Sequence, residues 1–178
     1  MQEMQREEFL QVFHLMEESF PPEEYRPRKE QEALLRDPAY HICVRRAEET
    51  GKICAFIAAW DFGTWVYIEH FAVSPDCRGA GLGGKMLREA LASFGRRVVL
   101  EVEPPTDEMT CRRVGFYRRN GFSLNRYAYR QPSISAGRRP VPLLLMTTGG
   151  EITREEFDRV RALLYRRVYR VPAAESES

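Results

Sequence analysis

Phe9, Val12, Phe13, Met16 and Phe20 recur three and four residues apart, which predicts an amphipathic helix over residues 6–20. Pro21-Pro22 ends it, and a second helix is expected over residues 27–35 before Asp37-Pro38. The period then changes. Residues 40–46, 53–61 and 64–73 are rich in β-branched and aromatic residues and are separated by the turn sequences Glu48-Glu49-Thr50-Gly51 and Asp61-Phe62-Gly63. Such short connections imply an antiparallel meander. Helical spacing returns with Met86, Leu87, Ala90, Leu91 and Phe94. A strand is expected at residues 97–103, a helix at 106–120 ended by Gly121, and strands at 122–130 and 141–148. Because a helix separates strands 64–73 and 97–103, these two can lie parallel with a right-handed crossover. The last helix opens with the capping box Thr153-x-x-Glu156 and carries Phe157, Val160, Leu164 and Val168 on one face. The pattern predicts an α/β (α+β) fold with a mixed, mostly antiparallel central sheet flanked by helices.

Composition narrows the chemistry. With 178 residues, 43% of them hydrophobic, the chain can bury one sizeable core, and residues 1–171 are expected to form a single domain before a disordered tail at 172–178. A net charge of +1 gives no field that would steer it to nucleic acid, and the arginines of the last helix are interleaved with Glu155 and Asp158. No apolar run reaches the ~20 residues of a membrane span. The polar start, Met1 to Arg6, has no secretory apolar segment behind it, so a cytoplasmic location is expected. Cys43, Cys54, Cys77 and Cys111 are scattered, with no Cys-x-x-Cys and no clustered histidines. No metal site is expected, and the cysteines are expected to be free thiols of a reducing compartment.

The candidate chemistry lies in Val73-Ser-Pro-Asp-Cys-Arg-Gly-Ala-Gly-Leu-Gly-Gly84, between a strand and a helix. Four glycines in the six residues 79–84 let backbone N–H groups converge, and the following helix adds its unpaired N-terminal amides and its dipole. This is an anion site suited to a phosphate or pyrophosphate. The dinucleotide pattern can be laid over Gly79, Gly81 and Gly84, with Glu101 or Glu103 as the later acid. However, that motif opens a parallel βαβ sheet, and an antiparallel lead-in argues against it. The phosphate-loop pattern fails because Met86 follows Gly84-Lys85.

Arg78-Gly79-Ala80-Gly81-Leu82-Gly83, preceded by Val73-Ser74-Pro75, resembles the Arg/Gln-x-x-Gly-x-Gly/Ala turn of the GNAT family of N-acetyltransferases. Phe116-Tyr117-Arg118-Arg119-Asn120-Gly121-Phe122 resembles that family's Phe-Tyr-x-x-x-Gly-Phe segment, in the expected order. The resemblance covers roughly residues 40–122 and implies a GNAT-like acyl-CoA acyltransferase fold. It also implies acetyl-CoA as cosubstrate, with the coenzyme lying where strands 64–73 and 97–103 diverge. The backbone of Phe71, Ala72 and Val73 would then pair with the pantetheine arm. Arg78, Gly79, Ala80, Gly81, Leu82, Gly83 and Gly84 would hold the pyrophosphate. An oxyanion donor is implied at a backbone N–H near Ala72 or Val73. The family often has Asn and Ala where this chain has Thr110 and Arg113; Thr110 could donate a hydrogen bond at the thiol end, and Arg113 could reach a phosphate.

Two catalytic residues are implied. Glu69 stands where the family often places a general base, and partial burial would raise its pKa. Strand alternation puts it on the face of Tyr67 and Phe71 with His70 opposite, unless a bulge intervenes. His70 and Glu103 are the other candidate bases. Tyr117 matches the tyrosine that protonates the departing thiolate. The acceptor would be an amine of a small molecule or a protein, with Glu23-Glu24-Tyr25, Tyr127, Tyr129 and the loop 131–140 as candidate lining. The expected partners are acetyl-CoA and that amine, with no nucleic acid and no membrane; the chain would be a monomer or homodimer. The alternative is a catalytically degenerate acyl-CoA-binding sensor or interaction module.

Overall fold

The computed structural model describes residues 1–79 and 81–171. These fall into two compact units, one of residues 1–21 and 25–100, the other of residues 22–24 and 101 onward. Among the described residues seven strands make a mixed, mostly antiparallel sheet with helices, as the hydrophobic pattern predicts.

In the first unit, β2 (Tyr40–Arg46), β3 (Ile53–Asp61) and β4 (Trp65–Val73) form the antiparallel meander. A two-residue strand that the hydrophobic pattern does not predict, β1 (Gln2–Glu3), pairs with β2. It is too short and polar to carry a periodic signal. Every residue of β3 from Ile53 to Trp60 is buried, the signature of a strand covered on both faces. Helix α1 (Phe9–Ser19) buries Val12, Phe13 and Met16, and α3 (Leu82–Phe94) buries Met86, Leu87 and Ala90. Each large side chain among these contributes about 1.5–3 kcal/mol by leaving water. The short helix α2 (Arg28–Ala33) follows the double proline. Helix α3 carries the chain from β4 to the start of β5 (Arg97–Val102), and the two strands pair in parallel from Trp65↔Arg97 to Ile68↔Leu100.

In the second unit, α4 (Glu108–Arg119) precedes the antiparallel pair β6 (Phe122–Gln131) and β7 (Val141–Thr148). Helix α5 (Arg154–Leu164) starts at the predicted capping box, where Thr153 Oγ1 accepts from Glu156 N at 3.2 Å. It buries Phe157, Val160 and Leu164 and continues as a π-turn, Tyr165–Tyr169. Among the described residues no helix is long and apolar enough to cross a membrane. The tail at 172–178 lies outside the described residues.

Candidate active site

The glycine run folds as a turn into a helix, and the helix begins earlier than its apolar stripe suggests. After β4 a 3-10 turn, Pro75–Cys77, leads to Arg78 in extended conformation. Gly79 (φ +92°) and Gly81 (φ +71°) are left-handed, a region that costs other residues about 1–2 kcal/mol. A Cβ built on either glycine would meet nothing within 4 Å, so both face open space. Gly81 is the N-cap of α3 and, having no side chain, makes no cap hydrogen bond. Leu82, Gly83 and Gly84 therefore begin α3 with backbone N–H groups that have no intrahelical acceptor. The donor set fits a diphosphate: several amides, a helix dipole and an unobstructed approach. Arg78 Nε donates to Val73 O at 3.0 Å and ties the turn to the end of β4. Ala80, the remaining residue of the turn, lies outside the described residues.

Strand β4 supplies the second feature. Its pairing with β5 ends at Ile68↔Leu100, whereas its pairing with β3 runs on to Ala55↔Val73. The β3 register also jumps, from Ala59↔Ile68 to Ala58↔His70, so Glu69 is the extra residue of a bulge. Both ladders are thus interrupted at the same place. Phe71, Ala72 and Val73 stay in register with β3, so the interruption falls earlier than the release expected near Ala72 or Val73. The bulge also breaks the simple alternation of Glu69 and His70.

Glu69 itself corrects an expectation. Its carboxylate accepts from Arg26 NH1 at 2.7 Å and from Trp60 Nε1 at 3.0 Å, and the side chains of Arg26 and Glu69 are only 6% and 2% exposed. Burial alone would raise its pKa. The charge of Arg26 acts against this, helped by His70 and by hydrogen bonds from Arg26 and Trp60, and holds the carboxyl below its ordinary value instead of above it. Arg26 is anchored in turn: its N–H donates to Gln31 Oε1 at 3.4 Å, and Gln31 Nε2 donates to Tyr40 OH at 2.6 Å. His70 is buried, its ring edge-on to Phe20. Sequence reasoning does not find Arg26 or Trp60, because nothing local marks partners 43 and 9 residues away.

In the second unit, Thr110 is buried and committed to the start of α4. Its hydroxyl accepts from Thr106 N and Asp107 N at 3.1 Å each and donates to Asp107 O at 3.2 Å. It therefore completes a capping box at the start of α4. Arg113 forms an ion pair with Glu103, so neither stands as the free group the sequence suggests. Tyr117 packs edge-on against Phe116 and Phe122. Burial raises its hydroxyl to about 12, with Arg113 pulling the other way, so it stays protonated throughout the neutral range.

The chain matches the acetyltransferase (GNAT) family over residues 3–122. It belongs to that family. The Bacillus subtilis (strain 168) protein YjbC, provisionally named an acetyltransferase, is 32% identical over 128 residues. That match covers 69% of this GNAT chain and 62% of the relative, so it spans less than two thirds of YjbC. A solved GNAT-family structure from Bacteroides thetaiotaomicron is 34% identical, with a TM-score of 0.85 over 96% of this chain and 98% of the other. A phosphinothricin acetyltransferase from Sinorhizobium meliloti, solved in complex with acetyl-CoA, shares the fold at 17% identity. Its TM-score is 0.59 over 82% of this chain and 85% of its own.

Several candidate acceptor residues have structural partners. Tyr129 OH donates to Glu101 Oε1, and Tyr169 OH donates to Glu101 Oε2 at 2.7 Å. Tyr127 OH donates to Ile152 O at 3.3 Å. Gln131 Nε2 donates to Glu23 O at 3.2 Å, and Ser133 Oγ bridges Ser135 O and Arg138 O within the loop. Tyr25 belongs to the first unit, where it packs edge-on against Phe13.

Glu24 is the unusual member of the second unit. Burial raises its carboxyl to about 7, reinforced by the negative charges of Glu103, Glu101 and Glu23 and opposed by Arg113. A carboxyl with a raised folded-state pKa binds its proton more tightly in the fold. Its stabilising contribution is present below the unfolded value of 4.5 and is lost as pH rises through about 7. Glu24→Gln is therefore expected to unfold up to several degrees higher than the parent at pH 8, a gain of ~1–3 kcal/mol. The two proteins should converge near pH 4.5. Thermal melts across that range provide the check; a gap that widens toward acid would contradict the assignment.

Proposed function

We propose that the chain transfers an acetyl group from acetyl-CoA to a primary amine by direct attack in a ternary complex. The observation that carries the reading is the uncapped start of α3 behind Gly79 and Gly81. The interruption of the β4 ladders at Glu69 supports it. The N–H groups of residues 79–84 would hold the pyrophosphate, with Arg78 steadying the turn from Val73 O. The backbone of Phe71, Ala72 and Val73 would pair with the pantetheine arm. A coenzyme A thioester and an amine of a small molecule or a protein fit a cytoplasmic enzyme of one catalytic domain.

The proton inventory follows from the side chains. Glu69 already accepts two hydrogen bonds and is paired with a guanidinium, so it is a poor proton acceptor. We read it as a positioning residue that fixes the bulge, with the proton of the amine leaving through water. Glu103 is engaged by Arg113. Tyr117 keeps the departing thiolate as its partner, as the family resemblance implies, but with a lesser part than full protonation. With its hydroxyl near 12 and a free thiol near ~8.5, complete proton transfer to the thiolate is uphill by ~4–5 kcal/mol. Its work is thus to donate a hydrogen bond to the departing sulfur, with solvent completing protonation. Tyr117→Phe is expected to lower kcat about 10- to 100-fold with acetyl-CoA affinity changed less than about twofold. Steady-state kinetics and calorimetry separate the two; lost affinity with unchanged turnover would refute the assignment.

A coenzyme-binding sensor is the second reading, favoured by the committed hydroxyl of Thr110 and the neutralised carboxylate of Glu69. Thermal shift with acetyl-CoA, coenzyme A and NAD tests both, since stabilisation by NAD alone removes both. A thiol-release assay over a panel of small-molecule and protein amines then divides them. Release with any amine establishes the enzyme, and binding without release across the panel favours the sensor.

A further inference from the structure

We propose that Cys54 and Cys77 form a reversible dithiol–disulfide latch on the glycine turn, the disulfide form holding the coenzyme more tightly. The inference rests on the coenzyme reading above and adds its regulation. The scattered spacing leads one to expect four free thiols, but the structure pairs these two and leaves Cys43 and Cys111 free. The two residues are 23 apart in sequence, and the antiparallel β3–β4 pairing brings them together. Their Cα atoms lie 5.7 Å apart, within the range a disulfide spans.

The location gives the pair its leverage. Cys54 is buried near the start of β3, and Cys77 ends the 3-10 turn. Ser74 N donates to Cys54 O at 2.8 Å and Cys77 N donates to Ser74 O at 2.9 Å, so the same corner is already drawn together by the backbone. Arg78 and Gly79 follow at once. A covalent tie at Cys77 therefore anchors the entry to the turn on β3, two residues before the first left-handed glycine. Glycine-rich segments lose the most backbone freedom when they are ordered. Anchoring the turn before the ligand arrives removes part of that cost from binding.

The chemistry balances as thiol–disulfide exchange with a low-molecular-weight disulfide such as glutathione disulfide. Cys77, the more exposed of the two, attacks as thiolate, forming a mixed disulfide and releasing one thiol. The Cys54 thiolate then displaces the second thiol. One S–S bond breaks and one forms, and the two protons end on the released thiols. An excess of small thiol drives the same steps backward.

The test uses the full chain and acetyl-CoA, whose sulfur is acylated and cannot reduce the pair. Affinity is measured by calorimetry in glutathione-disulfide and in glutathione buffers, with free thiols counted by alkylation after denaturation. Two thiols are expected in the first buffer and four in the second. The oxidised protein should bind about fivefold more tightly, the size of effect a prepaid ordering cost supplies. Cys77→Ser should bind like the reduced protein in both buffers. Backbone amides of residues 77–85 should exchange with deuterium faster in the reduced state. Four thiols in the oxidising buffer, equal affinities in the two states, or a redox response surviving in Cys77→Ser would each overturn the latch. Absence of binding in both states would remove the coenzyme reading together with it, whereas binding that ignores redox state removes the latch alone.

Discussion

Replacing Glu69 with alanine is expected to cost ~3–5 kcal/mol of stability, because it removes the ion-pair partner of the buried Arg26 and the acceptor of Trp60 Nε1. At this chain length that is a fall in Tm of about 10 °C. Glu69→Gln keeps an acceptor oxygen for one of the two donors and sets its amide N–H group against the other, so it is expected to lose less stability than Glu69→Ala but not to match the parent. The pair of variants also decides the chemistry. A general base replaced by its amide loses about 10²- to 10⁴-fold in rate. A positioning residue replaced by a near-isostere keeps its geometry, so we expect Glu69→Gln to retain kcat within about tenfold. The acidic limb of its pH–rate profile should be unchanged. A far larger loss of turnover with an unchanged Tm would return the base role to Glu69. The pH dependence of stability has a defined sign as well. A carboxyl held below its ordinary pKa stabilises the fold at neutral pH, and that contribution is lost as pH falls through the depressed value.

Gly81→Val is expected to weaken acetyl-CoA binding about 30-fold, the equivalent of losing one charge-assisted hydrogen bond. The cause is conformational. Nothing lies within 4 Å of a Cβ at Gly81, so no clash arises, but a β-branched residue resists φ of +71°. The backbone leaves the left-handed region, and the first amides of α3 no longer converge. Gly51→Val is the matched control, since Gly51 has φ of +68°, equally open space and a place in the β2–β3 turn. Both variants should lose similar stability, whereas only the first should lose affinity. Calorimetry on the two proteins makes the comparison; equal affinities would show that the turn does not hold the coenzyme.

The features legible in the amino-acid sequence share one property: their causes are local. The glycine turn depends on residues adjacent in sequence that tolerate positive φ, and the structure has Gly79 and Gly81 there. The capping box at Thr153 and Glu156 spans one helical turn. The meander from β2 to β4 follows from period-two runs and short turns. Even so, the apolar stripe places the start of α3 too late, because Gly83 and Gly84 in its first turn carry no side chain to extend that stripe. The bulge at Glu69 leaves no mark in the pattern, since it is a jump in how β4 pairs with Ala58 and Ala59 of β3, which the β4 residues alone do not specify.

The order of amino acids alone determined most of the succession of helices and strands and the glycine turn before α3, because hydrogen bonding and backbone sterics within a few residues dictate each of them. Only the tertiary structure decided the ionisation of Glu69, the commitment of Thr110 and the pairing of Cys54 with Cys77. For Glu69 and the cysteines the deciding partner lies tens of residues away, and for Thr110 it depends on where α4 begins. Charge, proton and thiol chemistry answer to whichever groups the packed chain sets beside them, and sequence spacing does not encode those neighbours.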